Sequence, residues 1–341
     1  MTSPSLLDIR KQRWLDFYDL TKSPRHLFHV RYFPGLGPRP WPRPDNIAER
    51  IEWAWRKYNL MCDNLAWLDD DSLPYLEVFT GTEIAAAAFD CPVHFPENDM
   101  PFAMPIIQEP GQVAGVRVPG LDHPAIAPLF HIADELRRRA GPEALLHMVD
   151  LQSPMDTAAL IWEKTGFYPA MLEAPEAVHE LAGKVQTFLE TLLDEWFARY
   201  GREFIAHYPD YYMPYGVTCS VDEVGVVSQR MFRQFFTPEL EALSSRYGQI
   251  GIHCCANARH QWENFKRVPN LRLININQPQ REVEDALAFF AQTCVQWPIP
   301  QGEGASWTLE RANPSGAKTV FEVWVDSKDE AKRMVEKYRR A

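Results

Sequence analysis

Apolar residues along this chain fall into short continuous runs separated by longer stretches with helical periodicity. The runs that predict strands are YLEVF (75–79), LLHMVD (145–150), YGVTCSV (215–221), IGIHCC (250–255), LRLINI (271–276), VQWPI (295–299) and TVFEVWV (319–325), and HVRYF (29–33) is an eighth candidate. They are too short for helices and rich in β-branched or aromatic residues. Their continuity, in place of strict alternation, is what strands covered on both faces require. Between them lie predicted helices. One spans 4–20, and a second runs from an Asp45 N-cap to about Tyr58. A third covers 123–140, with Pro124 in its first turn and Gly141 as its stop. The longest, 175–200, places Val178, Leu181, Val185, Phe188, Leu192, Trp196 and Tyr200 on one stripe and stops at Gly201. Thr237-Pro238 predicts a kink or a restart capped by Thr237, and Ser327-x-x-Glu330 is a capping box for the last helix.

Strands alternating with helices imply parallel pairing and an α/β class. Eight strand candidates favour a closed (β/α)8 TIM barrel over an open doubly wound sheet. No GxGxxG or GxxxxGK[ST] follows a strand, which weakens a nucleotide-binding alternative. The expected organisation is an N-terminal helical and proline-rich extension, residues 1–60, packed on a barrel of residues 61–341. Within the extension, HVRYFPGLGPRPWPRP (29–44) cannot be helical, because Pro38, Pro40, Pro42 and Pro44 remove donors and restrict the residues before them. Phe28, Tyr32, Phe33 and Trp41 argue that it packs against the rest.

Charge and cysteine content narrow the function. With 35 basic and 46 acidic residues the net charge is −11, which excludes a nucleic-acid partner built on clustered lysine and arginine. No apolar stretch is long enough to span a membrane, and the charged N-terminus has no secretory h-region. Six cysteines in 341 residues are too sparse for a disulfide scaffold. A reducing, cytoplasmic setting is expected, where cysteine near histidine points to metal or catalysis.

In a barrel, chemistry collects at the C-terminal ends of the strands. That rule selects Glu77, Asp150, Asp222 with Glu223, the His253–Asn257 segment, Asn275, Asn277, Glu322 and Asp326. GIHCCAN (251–257) is the densest. Strand alternation puts His253 and Cys255 on one face and Cys254 on the other. An imidazole nitrogen and a thiolate suit zinc, but a catalytic zinc takes three protein ligands and these are two. The alternative is a substrate-binding histidine beside buried cysteines. Asp222 can orient a substrate, move a proton, support a metal ligand or cap a neighbouring helix. Glu322 shares a face with Trp324 and Asp326, opposite Phe321, Val323 and Val325, so it points into the barrel mouth or outward. Asp150 and Asp156 flank a strand-to-helix step, with Asp156 readable as a cap. AHYPDYYMPYG (206–216) holds four tyrosines, Tyr215 among them, that wall a pocket or pack beneath the barrel. Arg31 is a candidate clamp for a substrate carboxylate. LDDDS (68–72) reads most simply as a solvated turn.

The order Asp222-Glu223, Ser228-Gln229-Arg230-Met231-Phe232, Phe235-Phe236, Pro238 and His253-Cys254-Cys255-Ala256-Asn257 resembles the uroporphyrinogen decarboxylase superfamily. The likeness lies mostly in residues 145–340. That superfamily joins metal-free decarboxylases of porphyrin metabolism with zinc-dependent methyltransferases that act with corrinoid proteins, both on (β/α)8 barrels. The resemblance implies His253 and Cys255 as zinc ligands. The family's third ligand, a cysteine near the last strand, is missing, since no cysteine follows Cys294; Glu322 lies near that place. The decarboxylases' N-terminal arginine motif is also absent, and VRYFPGLGPR offers only Arg31 and Arg39. The leading expectation is zinc-assisted methyl transfer from a small methylated compound or a corrinoid to a thiol. Asp222 and His253 are its catalytic candidates, Arg31, Asp150, Tyr215 and Asn257 its substrate-binding ones, and His253, Cys255 and Glu322 its metal ligands. The alternatives are a metal-free carboxy-lyase, with Asp222 stabilising a protonated pyrrole-like intermediate, and a non-catalytic tetrapyrrole or corrinoid binder.

Overall fold

A computed structural model describes residues 4–24, 26–303, 308, 311 and 315–340. The strands along the main paths of the two larger sheets are β1 (His26–Arg31), β2 (Tyr75–Leu76), β3 (Leu145–His147), β4 (Glu203–Ile205), β5 (Tyr212–Pro214), β6 (Val217–Ser220), β7 (Ile250–Cys254), β8 (Leu271–Pro279), β9 (Val295–Gln296) and β10 (Thr319–Trp324). One parallel sheet runs β1-β10-β9-β8-β7-β6, and a second holds β2, β3 and β4 in parallel with β5 antiparallel to β4.

Two seams join these sheets into a (β/α)8 barrel. At one, Gln152 and Ser220 form an isolated parallel bridge, so the chain beyond β3 meets β6. At the other, β1 and β2 share no regular ladder. The Asp71 N–H donates to the Phe28 carbonyl at 2.9 Å. The Asp71 carboxylate accepts the Phe28 N–H, and the Asp70 carboxylate accepts the Val30 N–H, each at 3.0 Å. Side chains thus satisfy strand donors that would otherwise be buried and unpaired. Both carboxylates are fully buried, and arginines neutralise them. Arg10 reaches Asp70 at 2.7 Å, while Arg13 and Arg339 reach Asp71 at 3.2 and 2.7 Å. The acidic run read as a solvated turn is therefore a structural clasp. Its arginines lie about 60 or 270 residues away, beyond any local pattern.

The expected strands and helices are present, with shifts at their ends. Asn46, not Asp45, stands at the N-cap of the helix Ile47–Leu65 and makes no side-chain cap bond. The Thr237 region is no restart: helix continues from Gln229 through a π-helical stretch, Phe232–Phe236, into Thr237–Tyr247. The residue-60 boundary does not separate extension from barrel, because β1 lies inside the first segment and forms barrel wall. The rest of that segment closes the two ends. Helix Leu6–Tyr18 plugs the bottom with Trp14 and Phe17, and Trp14 stacks against Trp297. The proline-rich arm crosses the top, turning at Gly35 and Gly37, whose φ values of +69° and +77° suit glycine. It is pinned from Ile47–Leu65: Arg56 donates to the Gly35 carbonyl and Trp53 to the Gly37 carbonyl. Among the described residues, no helix is long and apolar enough to cross a membrane.

Replacing Asp71 with Ala leaves one buried strand N–H without its acceptor and takes from Arg13 and Arg339 one of two carboxylate partners, since both keep Asp69. The expected cost is about 1–3 kcal/mol in urea unfolding, set mainly by the orphaned Phe28 N–H; a loss under about 0.5 kcal/mol would mean the seam closes without it.

Candidate metal centre and the cleft beside it

The sequence between β6 and β7 builds the site. Ser153 caps the helix Pro154–Ile161 by accepting the Asp156 N–H, so Asp156 is not the cap. Its buried carboxylate instead accepts the N–H groups of Asp222 and Glu223 at 2.8 and 2.9 Å. This holds the loop after β6 against the barrel. The loop turns back toward Ala256, where Gly225 allows the approach: a Cβ there would come within 2.8 Å of the Ala256 methyl. Burial, with the neighbouring Asp222 carboxylate, pushes the Asp156 carboxyl well above its ordinary range.

Asp222, so fixed, accepts the Cys255 N–H at 2.6 Å. Gln278 donates to the Cys255 carbonyl at 2.6 Å, so that residue is clamped on both sides. His253 is oriented from β8: its Nδ1 lies 2.5 Å from the Asn275 Oδ1. Asn275 donates its amide N–H to the Trp297 carbonyl, which turns its oxygen toward the imidazole. Nδ1 is then the protonated nitrogen, and Nε2 keeps its lone pair. This is the outer-shell arrangement that orients metal-binding histidines.

Ligand atoms of Asp222, His253 and Cys255 lie within 4.8 Å of one another. Cys254 faces away into the core, as alternation requires, while Cys255 is exposed. Burial, and then the Asp222 carboxylate, pushes the Cys255 thiol up to about 12. Nitrogen, sulfur and carboxylate oxygen form a donor set that zinc accepts, with three protein ligands and one exposed side.

The structure does not bring Glu322 to this group. Glu322 sits across the barrel mouth on Arg31, at 2.8 Å, with Asp210 on the same guanidinium at 3.1 Å. Burial works against the Arg31 charge, but Glu322 and Asp210 outweigh it and hold the guanidinium more firmly protonated than usual. Arg31 is thereby occupied by the protein's own carboxylates. Asp150 is buried, accepting from Gln152 at 2.7 Å, with His207 at 3.7 Å. Asn257 is exposed just beyond Cys255, and exposed Tyr215 precedes β6, at the strand end away from the mouth.

Between Arg31 and the proline-rich arm lies a cleft of about 1000 Å³. It is lined by Asp210, His207 and Tyr208, which the strand-end rule passed over, and by Arg39 and Lys57, which hold the Glu77 that the rule selected. Asp210 accepts from Arg31 and from the Tyr75 hydroxyl, at 2.5 Å for the latter. Glu77 is shared by Lys57 and Arg39. Those cations outweigh burial and draw its carboxyl down to about 2. His207 and Tyr208 come from the loop between β4 and β5, and the Tyr208 ring packs edge-on against His253 at 4.9 Å. The Tyr-Pro-Asp turn at 208–210 was the only local signal for Asp210.

The class these features define is a (β/α)8 barrel with a three-residue candidate metal centre at its mouth. The chain belongs to the uroporphyrinogen decarboxylase (URO-D) family, whose sequence model matches residues 75–296. The fold agrees with a methyltransferase from Methanosarcina mazei at a TM-score of 0.66 and 11% identity, covering 99% of this chain and 100% of that one. The apo homocysteine methyltransferase MmuM from Escherichia coli aligns at a TM-score of 0.23 and 15% identity, over 60% of this chain and 85% of that one. No curated protein matches by sequence.

In protein treated with chelator, Cys255 should alkylate slowly despite its exposure. Its rate should rise about tenfold per pH unit from 8 to 10 without a plateau, because the thiolate is the reactive form and its pKa lies higher. Peptide mass spectrometry reads the rate; a plateau near pH 9, as for an ordinary thiol, would contradict it.

Proposed function

We propose that this protein is a zinc-dependent methyltransferase that moves a methyl group from a small methylated compound or a protein-borne corrinoid to a thiol. The observation that supports the reading most is the convergence of Asp222, His253 and Cys255 within 4.8 Å at the ends of two adjacent strands. Their donor set fits zinc, and Asp222 supplies the third ligand that the missing cysteine left open. Zinc held there supplies a positive charge that keeps a bound thiol as the nucleophilic thiolate near neutral pH.

The chain's own residues set up that chemistry. Asn275 holds the His253 tautomer, and Asp156 positions the loop that carries Asp222. Tyr208 packs edge-on against His253 and supports its position, while the exposed side at Cys255 admits a thiol or a methyl donor. Six free cysteines suit a reducing compartment, so we place the protein in the cytoplasm. The metal-free decarboxylase reading is weakened at Arg31. Two carboxylates already hold that guanidinium, which leaves Arg39 and Arg43 as the more open arginines of the proline-rich arm, with Arg39 the one that lines the cleft.

The expected metal content is about one zinc per chain. His253→Ala, Cys255→Ala and Asp222→Ala should each lose most of it, while Glu322→Gln retains it. Methyl transfer should fall by about 100-fold or more in the three ligand variants. Less than about a tenth of an equivalent of zinc in fully active protein would overturn the reading. So would loss of zinc in Glu322→Gln with retention in Asp222→Ala.

A further inference from the structure

The large cleft has two electrostatic ends. At one, the Arg31 guanidinium is only 4% exposed, while the carboxylates of Asp210 and Glu322 that cover it are 24% and 29% exposed. Arg31 is the one cation in direct contact with these two anions among the described residues, with Lys57 reaching Asp210 only through the Tyr75 hydroxyl and His147 3.5 Å from it on the buried side, so what the cleft meets is carboxylate. Aromatic surface surrounds it. Trp324, 71% exposed, donates its indole N–H to Glu322 at 3.1 Å and meets Phe33 edge-on, and Tyr208 stands beside it. Rings next to a partly desolvated carboxylate form a site for an organic cation.

At the other end the balance is reversed. Arg39 and Lys57 share the single carboxylate of Glu77, which is buried. The Arg39 guanidinium carbon lies over the Phe79 ring, 3.3 Å from its centroid, and the side chain, 41% exposed, lines the cleft. The ring holds the guanidinium, whose free N–H groups remain for an anion. Trp41 and Trp53 line the wall beside it.

We infer that this cleft binds a zwitterion, with a methylated onium group at the Glu322–Trp324 end and a carboxylate at Arg39. The inference names a substrate class for the methyl-transfer reading and rests on that reading only for the methyl group's destination. The geometry suits it, because Tyr208 both lines the negative end and packs on His253. A cation held there lies one tyrosine ring away from His253.

Tryptophan fluorescence provides the test, since Trp41, Trp53, Trp297 and Trp324 all line the cleft. Full-length protein is titrated in chelator with carnitine, with choline, which lacks the carboxylate, and with 3,3-dimethylbutan-1-ol, an uncharged isostere of choline. Carnitine should bind about tenfold tighter than choline, and choline about tenfold tighter than the alcohol. Glu322→Gln and the surface variant Trp324→Ala should each weaken carnitine and choline alike. Arg39→Met should weaken carnitine and leave choline unchanged. Equal affinity for choline and its neutral isostere would overturn the proposal, as would wild-type carnitine binding in both Glu322→Gln and Trp324→Ala. So would no saturation by carnitine below about 10 mM. The titration needs no metal and the zinc measurement needs no substrate, so either can fail alone and identify the reading at fault.

Discussion

Buried carboxylates meeting backbone N–H groups hold this barrel together where strand pairing stops. Asp70 and Asp71 do so at the β1–β2 seam, and Asp156 does so for the loop after β6. An ionised carboxylate away from water is costly unless donors and a cation meet it. That requirement recruits Arg10, Arg13 and Arg339 to the first site, tying both chain termini to the wall. At the second, no arginine is in contact among the described residues, and burial with the neighbouring Asp222 pushes the Asp156 carboxyl well above its ordinary range, where at the first burial raises the Asp70 carboxyl despite Arg10. The two sites differ because one closes the barrel and the other borders its candidate metal centre.

The same constraint organises the mouth. Asp210 and Glu322 neutralise Arg31 and are left over in charge, while Arg39 and Lys57 exceed Glu77. The proline-rich arm supplies both Arg39 and part of the aromatic wall, so the segment that closes the top also polarises the cleft. Its prolines fix the path and its two left-handed glycines turn it, which keeps Arg39 on the Phe79 ring.

Features written in local pattern were legible in the sequence. Continuous apolar runs located the wall strands, and alternation assigned His253 and Cys255 to one face with Cys254 opposite. Features that depend on register between distant strands were not. Parallel pairing sets β1 beside β10, so Arg31 meets Glu322 across 291 residues, and the expected substrate clamp and the expected metal ligand occupy each other. The third member of the metal group was within reach, because Asp222 stood at a strand end. Only the β6–β7 register shows that its carboxylate lies beside the Cys255 N–H. The acidic run at 69–71 reads as surface from composition, yet Asp70 and Asp71 are buried because their arginine partners arrive from the first and last helices.

X-ray absorption at the zinc edge of the zinc-loaded full-length chain examines the proposed centre most directly. The account predicts one sulfur scatterer at about 2.3 Å, with nitrogen and oxygen at about 2.0–2.2 Å completing the shell. Cys254→Ser should leave the spectrum unchanged and Asp222→Ala should alter it. A shell with no sulfur, or with two or more sulfurs from the protein, would contradict the assignment of Asp222, His253 and Cys255.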